Sequence, residues 1–154
     1  MILSIKLSIF IPLPKKEKVE LGTLLSDLKN LFPDNFIHIL PPSSEIYLQA
    51  DRVQIEQVLI NLVRNAREAC NAVEWNECIG PRIEVSVSNH PEWRVAISVA
   101  DNGEGILPEV LDKIFVPFFT TKEGGSGIGL SLCRQIMHLH GGSITATSTP
   151  ETGT

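Results

Sequence analysis

A chain of 154 residues has room for one domain around a single core, burying roughly two thirds of its unfolded surface. Hydrophobic residues make up 43% and charged residues 20%, the balance of an ordinary globular protein. The formal net charge of −5 argues against a general polyanion binder such as a nucleic-acid protein, although a nucleotide site needs only local positive potential and backbone N–H groups.

Cys70, Cys78 and Cys133 are odd in number and lack a C-x-x-C spacing, so they read as reduced thiols of a cytoplasmic protein. The apolar run 1–13 contains Lys6, alternates in polarity and has no small-residue cleavage site. It is too short to span a bilayer and unlike a signal peptide, so no membrane contact is expected of the chain. Within that run, residues 5–11 (IKLSIFI) predict a strand, ended by Pro12-Leu13-Pro14. The segment 1–14 is thus set apart from a domain over 15–154, with 15–20 as a charged linker.

Leu21, Leu24, Leu25, Leu28, Leu31 and Phe32 fall at helical spacing, and Pro33 closes that helix. Residues 36–40 and 45–49 predict short strands around Pro41-Pro42. Asp51 is placed to cap a long helix reaching about Val73, with Val58, Leu59, Leu62, Ala66, Ala69 and Val73 as its buried stripe. Strands follow over 83–88 and 95–100, with 89–92 as the hairpin turn. A glycine-containing aromatic loop covers 101–127. A helix over 128–140 stops at Gly141-Gly142, and 143–148 predicts a last strand before a turn at 149–154. This order points to an α+β two-layer sandwich, a mixed sheet covered on one face by about three helices.

Four segments carry chemistry. In the long helix Gln57, Asn61 and Asn65 stand at i, i+4 and i+8, so two asparagine amides share one line. An amide oxygen is a neutral hard donor that suits Mg²⁺, which keeps waters and phosphates in its shell; solvated asparagines would look the same. Next, Asp101-Asn102-Gly103-Glu104-Gly105-Ile106 follows a strand directly. A carboxylate there can accept from the exocyclic amine of adenine while the glycines let backbone approach a flat base, though many tight turns share the pattern. Residues 114–122 (IFVPFFTTK) set three phenylalanines beside Thr120, Thr121 and Lys122. They either anchor a packed loop or bring hydroxyls and a compact positive charge to a phosphate. Last, Gly124-Gly125-Ser126-Gly127-Ile128-Gly129-Leu130 opens a helix, where backbone N–H groups favour anions. It lacks the lysine of a Walker A loop, and its glycine spacing differs from G-x-G-x-x-G.

Taken in order, N-x-x-x-N-A, D-x-G-x-G-I, F-x-P-F and G-x-G-x-G-L resemble the N, G1, F and G2 boxes of histidine kinase catalytic domains. Those domains belong to a wider family with Hsp90, DNA gyrase and MutL, and the resemblance covers about residues 19–153. It implies a Bergerat-type ATP-binding fold with ATP and Mg²⁺ as cofactors. By resemblance Asn65 is the Mg²⁺ ligand, Asp101 the adenine reader, and Asn61 a neighbour of the phosphates. Gly103, Gly105 and Ile106 would line the adenine pocket, and Gly125, Gly127, Gly129 and Leu130 would hold the triphosphate. Between Gly105 and Gly125 lies the implied lid, short and ending at Thr120, Thr121 and Lys122, most like the nitrogen-regulation subgroup of sensor kinases.

Two departures bear on mechanism. Where the ATPase branches place a water-activating glutamate, four residues before the metal asparagine, this chain has Asn61. An amide is no base, so slow hydrolysis and transfer to an incoming nucleophile are expected. Where many sensor kinases have a lysine, three residues after that asparagine, this chain has Glu68 beside Arg64 and Arg67, which points to a salt-bridged surface.

The family's phosphoacceptor histidine precedes an acidic residue and, a turn later, a proline; His38, His90, His138 and His140 all lack that context. The expected partner is a separate dimerisation and phosphoacceptor domain, with a response regulator downstream. The expected location is cytoplasmic, including the cytoplasmic part of a membrane-bound sensor. An anti-sigma-type serine kinase and a degenerate nucleotide-binding docking module are the alternatives; Asn61 disfavours an Hsp90- or MutL-like ATPase. Family members also continue past a Gly-Thr turn into a final strand, which residues 4–13 (SIKLSIFIPL) resemble. Either 5–11 lies beside 143–148, as in a circular permutation, or it is an upstream linker.

Overall fold

Two carboxylates start the two helices that organise the structure, a computed structural model describing residues 11–90, 94–122 and 124–154. Glu20 ends strand β1 (Glu17–Glu20) and accepts from the N–H groups of Gly22 at 2.8 Å and Thr23 at 2.6 Å, opening helix α1 (Leu21–Leu31). Leu21, Leu24, Leu25 and Leu28 then fall on one stripe, and all four are buried. Strands β2 (Ile37–Ile39) and β3 (Tyr47–Ala50) follow. Asp51 caps helix α2 (Arg52–Asn71), its side chain accepting from Gln54 N–H at 3.1 Å and from Lys15 N–H at 2.9 Å. Strands β4 (Ile83–His90) and β5 (Arg94–Asp101), a short helix α3 (Pro108–Leu111) and helix α4 (Gly129–Leu139) complete the described elements.

Strands β2, β4 and β5 form a mixed sheet, β2 parallel to β4 and β4 antiparallel to β5, while β1 and β3 make a separate antiparallel ribbon. Ile83 and Val85 of β4 point into the core, and the intervening Glu84 stays half-exposed. They meet the α1 leucines, Ile37, and Ile55, Leu59, Val63, Ala66 and Cys70 of α2. A second cluster, Val58 with Cys133 and Ile136, joins α2 to α4. The α+β sandwich with a mixed sheet is as the sequence led us to expect.

Several local expectations are corrected. Residues 17–20 of the expected linker form β1, because Val19 is buried and the backbone pairs with β3. The sheet-facing stripe of α2 runs through Val63 and Cys70 rather than Ala69 and Val73. Residues 143–148 form no strand among the described residues, since no neighbouring strand pairs with them. The expected strand over 5–11 lies outside the described residues apart from Ile11, which packs against the second cluster. Of the expected turn at 89–92, Asn89 and His90 belong to β4, which ends at His90, and β5 starts at Arg94; residues 91–93 lie outside the described residues.

Asp51 illustrates how the caps contribute. The N–H of Lys15, then that of Gln54, holds its carboxyl below the usual carboxylate range. Its stabilisation is therefore complete above the ordinary value and lost as pH falls through the lowered one. Asp51→Ala is expected to cost about 1 kcal/mol in urea unfolding at neutral pH, with the gap to wild type closing in acid.

Candidate functional site

Strand β5 ends at Asp101, and the chain turns there against α2. Gly103 N–H donates to Asp101 Oδ1 at 2.9 Å, and Glu104 N–H donates to the carbonyl of Ala69 at 3.3 Å. A Cβ on Gly103 would stand 2.5 Å from the Ala69 carbonyl carbon, so only glycine lets the strand end approach the helix this closely. Asn65 lies one turn before Ala69 on the same helix face, which brings the asparagine line beside the Asp101 turn. Asn102 anchors the turn from behind, accepting from Arg82 N–H at 2.6 Å and donating to the Gly80 carbonyl at 3.0 Å.

Burial raises the Asp101 carboxyl above its usual range, against the lowering effect of the Gly103 and Thr154 backbone. Oδ1 is engaged by Gly103, and the described residues form no comparable bond to Oδ2. An acceptor held in this way suits an amine donor on a flat ligand. A buttress that the sequence did not reveal comes from the last residues. Asp101 N–H donates to Thr154 O at 2.9 Å, and Ile106 N–H donates to Ser148 Oγ at 2.8 Å. Ser148 Oγ in turn donates to Gly153 O at 2.8 Å. Gly105 and Ile106 are thereby fixed from the side of residues 148–154.

The glycine-rich segment approaches α2 one turn earlier. A Cβ on Gly129 would lie 3.5 Å from Asn61 Oδ1, so the first residue of α4 faces the first asparagine. Ile128 at the cap position offers no side-chain acceptor, which leaves first-turn N–H groups of α4 without a side-chain cap. Further along, Cys133 is buried against α2 and its thiol is pushed up to about 11 by burial, which makes it inert at neutral pH. Cys70 is also buried, and all three cysteines are free.

The segment between these walls is closed at its base. Phe118 N–H donates to Gly127 O at 2.9 Å, and a Cβ on Gly127, at φ 64°, would stand 2.5 Å from the Phe118 carbonyl carbon. The phenylalanines act as anchors only in part: Phe115 and Phe119 are half-buried, whereas Phe118 is exposed. Thr120 Oγ1 accepts from Lys122 N–H at 3.1 Å, and Thr121 is exposed. Lys122 Nζ pairs with Glu68 Oε2 on α2, so the lysine expected at a phosphate sits on a carboxylate beside the asparagine line. Gly125 and Leu130 flank this region, and neither makes a polar side-chain contact.

Asn65 is half-buried and its side chain forms no hydrogen bond with described residues, as fits an amide free to bind a cation. Among the described residues no group of three His, Cys, Asp or Glu could hold a metal by itself. An ion here would take most of its oxygens from a ligand and water, as Mg²⁺ does in phosphate sites. A groove of about 920 Å³, lined by Ile11, Phe115, Arg134, His138 and Ile144, lies elsewhere, and Asn61, Asn65 and Asp101 do not line it. His140 is structural: its Nε2 accepts from Asp51 N–H at 3.0 Å and its Nδ1 bonds Ile136 O at 2.8 Å. His38 and His138 are exposed, and the side chain of His90 lies outside the described residues. No described helix is long and apolar enough to cross a membrane.

Residues 50–154 match the family model described as histidine kinase-, DNA gyrase B-, and HSP90-like ATPase. Sensor protein FixL of Bradyrhizobium diazoefficiens is 41% identical over 116 residues, covering 74% of this chain and 21% of that protein. Sensory histidine kinase/phosphatase NtrB of Salmonella typhimurium is 42% identical over 106 residues, covering 67% of this chain and 30% of that protein. The chain thus spans less than a third of the length of these relatives. Among solved structures, the catalytic domain of histidine kinase ThkA superposes with a TM-score of 0.64 at 34% identity, covering 80% of each chain. Full-length ShkA in complex with AMPPNP superposes with a TM-score of 0.73 at 25% identity, covering 93% of this chain and 30% of that one.

Proposed function

The chain belongs to the histidine kinase-, DNA gyrase B- and HSP90-like ATPase family, and on that premise we propose that it binds Mg²⁺–ATP and presents the γ-phosphate to a histidine on a separate dimerisation domain of a sensor kinase. The observation that carries the reading is convergence on one helix. The Asp101 turn packs on α2 at Ala69, and the start of α4 packs on α2 at Asn61, with Asn65 between them. A base-reading carboxylate and a phosphate-binding helix start thereby flank the asparagine line.

In this reading Asp101 accepts from the adenine amine, with Gly103, Gly105 and Ile106 shaping the pocket around the base. Gly125, Gly127, Gly129 and Leu130 bring backbone N–H groups to the phosphates. Asn65 would hold Mg²⁺, which would supply neutralisation of phosphate charge when bound. Asn61 has no proton-accepting group, so that position supplies no base to activate water beside the γ-phosphate. The incoming nucleophile is then the imidazole of the partner domain, with a response regulator as the later acceptor. A cytoplasmic location follows from the supply of ATP.

Titration with Mg²⁺–ATP, ADP and adenosine tests the site. All three should saturate at one per chain, with Mg²⁺–ATP tighter than adenosine. Asn65→Ala is expected to weaken Mg²⁺–ATP by about tenfold and leave adenosine unchanged, by analogy with the 10- to 100-fold effects of disturbing metal sites. Equal Mg²⁺–ATP affinity in the variant would remove Asn65 from the metal site.

A further inference from the structure

We propose that Glu68 sets how strongly this site distinguishes nucleoside polyphosphates from nucleosides, by competing with the phosphates for Lys122. The proposal rests on the nucleotide reading above and deepens it. Glu68 lies three residues after Asn65, on the neighbouring turn of the same helix face. Lys122 reaches it from the far end of the lid, a separation of 54 residues in sequence. The two side chains are 46% and 44% exposed, so the pair is wet and exchangeable rather than locked.

The neighbouring cation Arg67 is engaged elsewhere. Its Nη1 lies 3.6 Å from Asp34 Oδ2, and its guanidinium stands over the Phe32 ring at 5.7 Å. Lys122 is therefore the cation the lid brings to α2, and Glu68 is where it rests. A triphosphate carries several negative charges against one on the carboxylate, so the ammonium transfers to the phosphates when a polyphosphate binds. Breaking the resting pair subtracts from that affinity. A nucleoside leaves the pair in place.

The test is titration of the full chain and its Glu68→Gln, Lys122→Met and doubly substituted forms with Mg²⁺–ATP and adenosine. Adenosine should bind all four forms alike, which also shows that each is folded. Glu68→Gln should bind Mg²⁺–ATP about threefold more tightly, the scale of an exposed ion pair. Lys122→Met should bind it more weakly, and adding Glu68→Gln to Lys122→Met should bring no gain. Weaker Mg²⁺–ATP binding by Glu68→Gln would make Glu68 a contributor to the metal site and overturn the proposal. A gain that persists without Lys122 would reduce it to simple charge repulsion and overturn it equally. Normal Mg²⁺–ATP binding with no effect of Glu68 overturns the inference alone, whereas a wild-type chain that binds neither ligand removes the nucleotide reading and the inference together.

Discussion

Asp101→Asn is expected to weaken Mg²⁺–ATP and ADP by about one to two orders of magnitude, the range of a lost hydrogen bond to a charged, partly buried group. The reason is donor and acceptor arithmetic. Oδ1 of Asp101 is engaged by Gly103 N–H at 2.9 Å, and on the proposed reading the adenine amine donates to the other carboxyl oxygen. In asparagine one of the two positions becomes an NH₂ group. If the oxygen keeps Gly103, the amide nitrogen meets the adenine amine, donor against donor. If the amide flips, Gly103 loses its acceptor.

Stability should move the other way. Burial raises the Asp101 carboxyl, so the folded chain holds that proton more tightly than the unfolded chain does. Ionised Asp101 thus opposes folding: the cost is absent below the ordinary carboxylate value and complete above the raised one. The asparagine variant should be at least as resistant to urea as wild type at neutral pH, with any advantage fading in acid. Loss of nucleotide binding together with undiminished stability separates ligand recognition from folding. An unchanged Mg²⁺–ATP affinity would show that Asp101 does not read the base.

The largest effect on stability is expected at Ile83. Its side chain is 0% exposed within the main core, and its backbone pairs with Asp101 at the site end of the sheet. Ile83→Ala should cost about 2–5 kcal/mol, depending on how far α1 and α2 collapse into the cavity. Urea unfolding would show this as a lower midpoint with an unchanged slope. A loss below about 1 kcal/mol, the scale of a surface change, would place Ile83 outside the cooperative core.

Local signals made much of this fold legible. Asp51 and the leucine spacing of α1 mark helix starts and faces within a few residues, and the β4–β5 pair shows its alternation directly. Strand β1 was hidden because a four-residue ribbon with only Val19 buried has no alternation to read. Residues 143–148 misled for the opposite reason. Half-buried Ile144 and Ala146 alternate with exposed Thr145 and Thr147, yet a strand also needs a partner, and none pairs with them among the described residues. In α2, burial is two-sided: Leu59, Val63, Ala66 and Cys70 face the main core, while Val58 and Leu62 face the α4 cluster. A single apolar stripe therefore mixes two faces.

The same division holds at the site. Asn61, Asn65, Asp101 and the glycines stand out because each belongs to a short pattern, and the patterns come in a recognisable order. Ser148 and Thr154 escaped notice because their roles are hydrogen bonds to a turn more than forty residues earlier, with no local pattern to announce them. The Glu68–Lys122 pair is likewise a product of tertiary approach, although Glu68 already stood out as an acidic residue where a lysine is common in the family.

On the proposed function, this chain delivers phosphate from ATP to a histidine on a separate dimerisation domain. Incubation with Mg²⁺ and γ-labelled ATP, with and without a separately supplied dimerisation domain from a nitrogen-regulation sensor kinase, tests it most directly. Expected are no label on the chain alone, little free phosphate, and an acid-labile, base-stable phosphohistidine on the added domain. Rapid release of free phosphate with the added domain left unlabelled would contradict it.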